Sequence, residues 1–197
     1  MLSNEFQQII DYRRSNRKFD TAIPVPEEVI KKSLERTVLS PNSSNMQLWE
    51  FYWIRSEEMK KKFVPYCMDQ SAAKTAQEMV VFVTRRDLWS KRAKWNYKMI
   101  QESTAGQSHT LAKKGLDYYG KAIPLVYMRD PFGIMGLIRR SVCFVMGLTR
   151  PFVRLGGNAD QRITVHKSCA LAAQTFMLSV AAEGFHTCPM EGLTNTE

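Results

Sequence analysis

SCALAAQTFMLSVAAEGFHTCPMEG, residues 168–192, is the stretch of this 197-residue chain that decides its architecture. From Ser168 to Glu183 apolar residues fall all around the helical period. A helix of that kind is expected to be buried on every side. Ala170, Ala172, Ala173, Ala181 and Ala182 allow another element to approach closely. A chain of 22.7 kDa needs such a helix only in the middle of a core or at a dimer interface. Gly184 is placed to stop it. CPMEG, 188–192, then reads as a tight turn, with Gly192 allowing close approach to the backbone. Its consecutive N–H groups suit a ligand atom; a plain turn is the alternative.

Working outward, MVVFVTR (79–85) is a continuous apolar run, expected as a strand buried on both faces. EFYWIR (50–55) is aromatic-rich and predicts a second strand. A helix around Glu57–Phe63 lies between them. At the start, Ser3 is expected to cap a helix running to Tyr12, with Phe6, Ile9 and Ile10 on one face. Pro26 opens the next helix, Glu27 and Glu28 favour its N-terminal end, and Val29, Ile30, Leu34 and Val38 form its apolar face. The segment 87–130 is polar, basic and mostly helical in pattern; AIPLVYM (122–128) reads as a strand or a buried loop. PFGIMGLIRRSVCFVMGLTRPFVRL (131–155) mixes apolar residues with four arginines. It reads as a helix packed on its own domain or a dimer partner, with an amphipathic surface helix as the less favoured alternative.

The formal net charge is 28 − 19 = +9, and its distribution says more than its total. Thr84–Lys167 holds 16 Lys+Arg and 5 Asp+Glu, a balance of +11, so the remainder stands at −2. The basic segment suits nucleic acid, an anionic membrane or partner, or anionic ligands. No zinc finger, aromatic RNA-binding box or clear helix-turn-helix pattern supports the first. Cys67, Cys143, Cys169 and Cys188 show no C-x-x-C spacing, and His109, His166 and His186 are far apart. These are scattered reduced cysteines, with no metal constellation. No secretory signal or membrane span is recognisable, and the expected location is the cytoplasm.

Two polar motifs remain. RRSNR places Arg13, Arg14, Ser15 and Arg17 just after a helix. Guanidinium groups bind phosphate in a planar, bidentate way and a hydroxyl adds a short hydrogen bond; a basic helix end is the bland alternative. SPNSSNMQLW (40–49) offers Asn42, Ser43, Ser44, Asn45 and Gln47. Amides present donor and acceptor together, which suits the edge of a heterocycle; an ordinary Asn/Ser turn is the alternative.

Taken in order, RRSxR, SPNSSNxQxWxF and an AAQ-containing helix ending GxxTCPMEG make the sequence resemble the nitroreductase family of FMN-dependent oxidoreductases. The likeness covers about 5–85 and 165–193; the stretch 86–160 has no matching motif. The resemblance implies an α+β fold with a central, mainly antiparallel sheet wrapped by helices. It implies one nitroreductase-like domain over 1–197 with a variable basic helical insert at about 86–160, and an intertwined homodimer with FMN at the interface. Arg13 and Ser15 would bind the FMN phosphate, Arg14 contributing between them, and Arg17 would reach the ring near N1 and O2. A fixed cation there favours the reduced state. Pro41, Asn42, Ser43, Ser44 and Asn45, with Gln47, would contact ring and ribityl chain from the partner subunit; Gln70 would meet the ribityl chain. Pro189, Met190, Glu191 and Gly192 would line the ring, the backbone N–H groups of Glu191 and Gly192 lying near N5. No side chain is needed as a catalyst. The implied activity is ping-pong transfer from NAD(P)H through FMN to a small nitroaromatic or quinone-like acceptor.

Two alternatives stay open. One is a reductive dehalogenase-like or flavin-handling enzyme, with Tyr97, Lys98, Glu102, Tyr118 and Lys121 reading a zwitterionic aromatic substrate. The other is a non-catalytic relative that binds a partner or membrane surface through the basic segment. The sequence departs from the family pattern at Thr175, where Asn is frequent. The sequence also stops at Glu197, before the basic tail that clamps the phosphate in the family: either the protein is longer or it is a shortened variant, and in the second case the phosphate would depend on Arg13, Arg14 and Ser15.

Overall fold

The computed structural model describes residues 2–104, 110–128, 132–149 and 158–190. In chain order the elements are α1 (Leu2–Tyr12), α2 (Glu27–Thr37), β1 (Trp49–Ile54), α3 (Glu57–Tyr66), α4 (Ser71–Thr75), β2 (Met79–Thr84), α5 (Trp89–Ser103), α6 (Thr110–Asp117), α7 (Ile123–Tyr127), α8 (Ile134–Gly147) and α9 (Asn158–Ala182). The result is an α+β architecture, rich in helix, around a small sheet. The chain divides into two compact units. One comprises Met1–Pro41, Glu50–Val83 and Ala170–Glu197; the other comprises Asn42–Trp49 and Thr84–Cys169.

In the first unit β1 and β2 pair in antiparallel fashion. Phe51 faces Phe82 across the pair with ring centroids 4.9 Å apart, and Phe82 meets Phe176 edge-on at 5.6 Å. Ile30, Phe176 and Val180 form the centre of this core, with Leu34, Trp53 and Val80 packed around them. A second cluster gathers Cys67, Ala73 and Met79, with Ile54, Phe63, Val64 and Met190 against it. Polar bonds fasten α2 to the end of α9: Arg36 donates to Ser179 Oγ (3.0 Å) and to Glu183 (2.8 Å), and Lys32 pairs with Glu183 at 2.9 Å. Glu183 is thereby held below the usual carboxylate range, by Lys32 first and then Arg36. Gly184 ends α9 as expected, at φ +83°, while the Phe185 N–H returns to Val180 O (3.1 Å).

In the second unit Met46, Leu48, Ala93, Ile123, Tyr127 and Val165 form the core, flanked by Trp89 and Tyr119. AIPLVYM is neither strand nor loop: it enters a π-helical turn (Tyr118–Ala122) and continues as α7. A short apolar run with β-branched residues fits a buried helix as well as a strand, and packing decided for the helix.

One capping and two burial expectations need correction. Ser3 lies inside α1, and no residue of α1 is buried, Phe6 standing 55% exposed. Only Met79 of β2 is buried, because Met79, Val80, Val81 and Phe82 border a cavity. Between Ser168 and Glu183 helix α9 is not covered all around either: Ala172, Phe176 and Val180 are buried, but Leu171 is 49% exposed.

Candidate active site

The first unit brings the RRSNR motif against the segment that follows α9. Ser15 and Thr187 form a parallel β-bridge, and the Asn16 N–H donates to Thr187 O (3.1 Å). That register fixes where the flanking side chains fall. Arg13 Nη1 lies 3.4 Å from Ser15 Oγ. Arg14 turns back and donates to the Arg13 carbonyl at 2.8 Å. Arg17 Nη1 reaches Gln70 Oε1 at 3.4 Å. Gln70 is set by two left-handed residues before it, Met68 (φ 55°) and Asp69 (φ 53°), and it opens α4. Arg13 is thus set beside Ser15 and Arg17 beside Gln70. Among the described residues no carboxylate pairs with Arg13, Arg14 or Arg17. A row of guanidiniums without counter-charge beside a hydroxyl is the donor set of a phosphate cradle. These residues fit the phosphate end of a nucleotide-like cofactor.

A cavity of about 790 Å³ opens in the same unit, a size suited to a cofactor or substrate. It is bordered by Tyr12, Phe82, Phe176, His186, Thr187 and Pro189, among others, and by Met190. Among the described residues expected at the site, Pro189 and Met190 reach this cavity, whereas Arg13, Arg14, Ser15, Arg17 and Gln70 do not line it. Tyr12 stacks on His186 at 4.5 Å and donates to Gly184 O at 2.7 Å. His186 Nδ1 and Thr187 Oγ1 are shielded from solvent and have no hydrogen-bond partner among the described residues. Both residues border the cavity, which makes them candidate ligand contacts. No spacing or motif singles them out in the sequence. Glu191 and Gly192 lie outside the described residues, and Pro41 is exposed at the end of one segment of this unit.

The second unit holds the rest of the polar loop. Ser43–Asn45 makes one 3₁₀ turn, and Ser44 (φ 56°), Asn45 (φ 46°) and Gln47 (φ 46°) are all left-handed. Non-glycine residues stay there only when their surroundings insist. The bonds that insist come from several elements. Ser168 Oγ accepts the Ser43 N–H (3.2 Å), Tyr119 Oη donates to Ser44 O (2.8 Å), and Asn96 Nδ2 donates to Asn45 O (3.1 Å). Tyr118 Oη lies 2.5 Å from Ser44 Oγ, and Asn42 Oδ1 accepts the Gln47 N–H at 2.8 Å. Buried Met46 and Leu48 anchor the loop from below, leaving the Ser43 and Asn45 side chains exposed. The sequence does not mark Asn96, Tyr119 or Ser168 as loop supports, because each acts over a long separation.

Four of the residues expected to read a zwitterionic substrate make local contacts. Lys98 pairs with Glu102 at 3.5 Å, Lys121 with Asp117 at 2.7 Å, and Tyr118 with Ser44. Burial pushes the Cys67 and Cys169 thiols above the ordinary range, away from thiolate chemistry. No cluster of metal ligands occurs among the described residues. No described helix is long and apolar enough to cross a membrane.

The nitroreductase family model matches residues 10–197, and the chain belongs to that family of oxidoreductases. A curated relative named "Putative NAD(P)H nitroreductase YdgI", from Bacillus subtilis (strain 168), is 26% identical over 194 residues, covering 96% of this chain and 76% of its own length. Among solved structures, YdfN of Bacillus subtilis superposes with a TM-score of 0.69 at 18% identity, covering 98% of this chain and 77% of that one. A structure from Exiguobacterium sibiricum 255-15, in complex with FMN, gives 0.59 at 22% identity, covering 96% and 75%. These two likenesses show that the fold is nitroreductase-like.

Proposed function

We propose that the protein is an FMN-dependent NAD(P)H oxidoreductase that passes electrons to a small nitroaromatic or quinone-like acceptor by a ping-pong mechanism. The observation that carries this reading is the RRSNR run, whose Arg13, Arg14 and Arg17 pair with no carboxylate among the described residues, with Arg13 beside Ser15 and Ser15 held by the bridge to Thr187. The FMN in the Exiguobacterium structure and the NAD(P)H in YdgI's name support it from outside.

When bound, FMN supplies the chemistry: it accepts a hydride from NAD(P)H and passes electrons onward. The chain's own residues bind and orient. Arg13 and Ser15 hold the phosphate, and Arg14 contributes its charge nearby. Arg17, steadied by Gln70, puts a fixed cation where negative charge develops, which favours the reduced form. Pro189 and Met190 offer an apolar wall that excludes water, and the backbone of Glu191 and Gly192 supplies donors. Pro41, Asn42, Ser43, Ser44, Asn45 and Gln47 form the polar platform. Its pinned backbone pays the ordering cost before ligand arrives. In this reading that platform serves the partner subunit of a homodimer.

The test is the visible spectrum of the chain after addition of FMN and removal of the excess, before and after NADPH under nitrogen. The expected result is a retained flavin band that bleaches. Arg13→Ala should weaken retention by about tenfold or more, since a charge-assisted bond is worth about 1.5–3 kcal/mol. Absence of retained flavin in the unaltered chain would reject the reading.

A further inference from the structure

The cavity beside β2 has the outline of a strand. It is bordered by Met79, Val80, Val81 and Phe82 in succession. Successive side chains of a strand point to opposite faces of its sheet. Here they do: Val80 and Phe82 pack with Ile30, Phe176 and Val180, whereas Met79 packs with Cys67 and Ala73. A space that touches both faces of one strand runs along its edge. Among the described residues β2 pairs with β1 alone, so this edge is unpaired. The opposite wall repeats the pattern. Phe185, His186, Thr187 and Cys188 border the same cavity in succession. The Thr187 carbonyl is turned toward Asn16, on the side of the bridge to Ser15. Backbone groups alternate in direction along an extended segment, so those of His186 and Cys188 face away from the bridge. Among the described residues they make no backbone hydrogen bond.

The walls define what fits between them. Ile30, Phe176 and Val180 lie toward one face, Phe63 and Cys67 toward the other. An element in the plane of β2 would meet apolar side chains on both sides, and strands covered on both faces are near-continuous apolar runs. It would also meet backbone groups at both edges, and beside them His186 Nδ1 and Thr187 Oγ1, which have no hydrogen-bond partner among the described residues. A peptide backbone carries an N–H and a C=O at every residue, whereas an apolar small molecule answers neither edge. At about 3.3 Å per residue, the wall formed by Met79–Phe82 matches a segment of about five residues. The stretches outside the described residues, 105–109, 129–131, 150–157 and 191–197, contain no apolar run of that length. We infer that this slot is a strand-acceptor site. Its occupant is an extended, apolar partner segment from outside residues 1–197, which enters by β-augmentation and pairs with β2 on one side and with residues 186–188 on the other. The inference does not rest on the flavin reading, and its test is read without cofactor.

The experiment is fluorescence anisotropy of a dye-tagged synthetic peptide, alternating valine and isoleucine flanked by lysines, titrated with the full chain. Two further peptides carry N-methyl groups on alternate backbone nitrogens, one in each phase, so that each loses its donors along one edge only. A serine–threonine peptide of the same length controls for apolar character. Amide exchange is followed at residues 79–82 and 186–188. The apolar peptide is expected to bind and to protect both segments. Each methylated peptide should bind at least about tenfold more weakly. Ala173→Phe adds a ring at a residue that borders the cavity and should weaken binding by a similar factor, with urea unfolding confirming that the fold is kept. The peptide series on the natural chain decides the matter even where that variant folds poorly. No binding of the apolar peptide overturns the inference. So does equal binding of the methylated or the serine–threonine peptides, which would make the slot a pocket that does not pair strands. Weakening in one phase alone reduces it to a single open edge and also overturns it. Protection of both segments by concentration-dependent dimerisation, without peptide, assigns the slot to a second copy and overturns it too.

Discussion

Asn96→Ala tests whether the polar loop is held as one rigid piece. Asn96 is 6% exposed, and its amide donates to Asn45 O at 3.1 Å. Removing the donor leaves that partly buried carbonyl short of a partner. Such a loss costs about 1–3 kcal/mol, and about 2 is expected here. Tyr119→Phe removes only the hydroxyl that donates to Ser44 O at 2.8 Å, on a half-buried side chain, and should cost about 1 kcal/mol. The two acceptors are adjacent carbonyls of left-handed residues. Those conformations cost about 1–2 kcal/mol each, so a loop freed at one point relaxes at the next. The double variant should therefore be less destabilised than the sum, by at least about 0.5 kcal/mol. Urea unfolding of the four proteins gives the cycle. Amide exchange at residues 43–47 reports whether the loop opens locally. Additivity within about 0.3 kcal/mol, together with unchanged exchange, would refute the idea of a jointly pinned loop.

Phe176→Ala should destabilise by about 3 kcal/mol, the low end for a buried phenylalanine, because the side chain already borders a cavity and leaves little new void; urea unfolding measures it. Glu183 gives a pH signature. Its folded pKa lies below the ordinary value because of Lys32 and then Arg36. Its contribution is therefore fully present above the unfolded pKa and is lost as pH falls through the folded one. Melting temperature followed from neutral to strongly acidic pH should fall more steeply for the natural chain than for Glu183→Gln, and parallel curves would contradict the assignment.

Much of the architecture was legible because period and punctuation agree locally. Pro26 with Glu27 and Glu28 does open α2, and Gly184 does follow α9. The two aromatic and aliphatic runs are β1 and β2. What was not legible is what lies opposite each face. Apolar composition at 79–85 and 168–183 reports what is available for burial, not whether a neighbour arrives; a cavity beside β2 and an open strip on α9 are invisible to it. The candidate site divides the same way. Arginine, serine and amide types at 13–17 and 41–47 suggest their chemistry in the sequence. The supports do not: Thr187 acts from 172 residues beyond Ser15, and Asn96, Tyr119 and Ser168 reach the loop from distant helices.

Helix α8 shows why period alone leaves direction undecided. The sequence defines an apolar stripe and a pair of adjacent arginines, and default packing turns the stripe inward. The structure does the reverse for a local reason. Helix α7 has only five residues, so its last carbonyls have no partners within the helix. Arg139 supplies donors to Leu125 O and to the capping residue Met128. Once that guanidinium is committed inward, residues on the opposite side of the same helix must face out. The exposure of Leu137, Phe144 and Leu148 follows from capping a short neighbour. That makes Arg139→Gln the matching perturbation: it removes the donors to Leu125 O and Met128 O and should destabilise the chain by about 1–3 kcal/mol in urea unfolding, without touching any apolar residue. Unchanged stability in that variant would refute the capping role of Arg139.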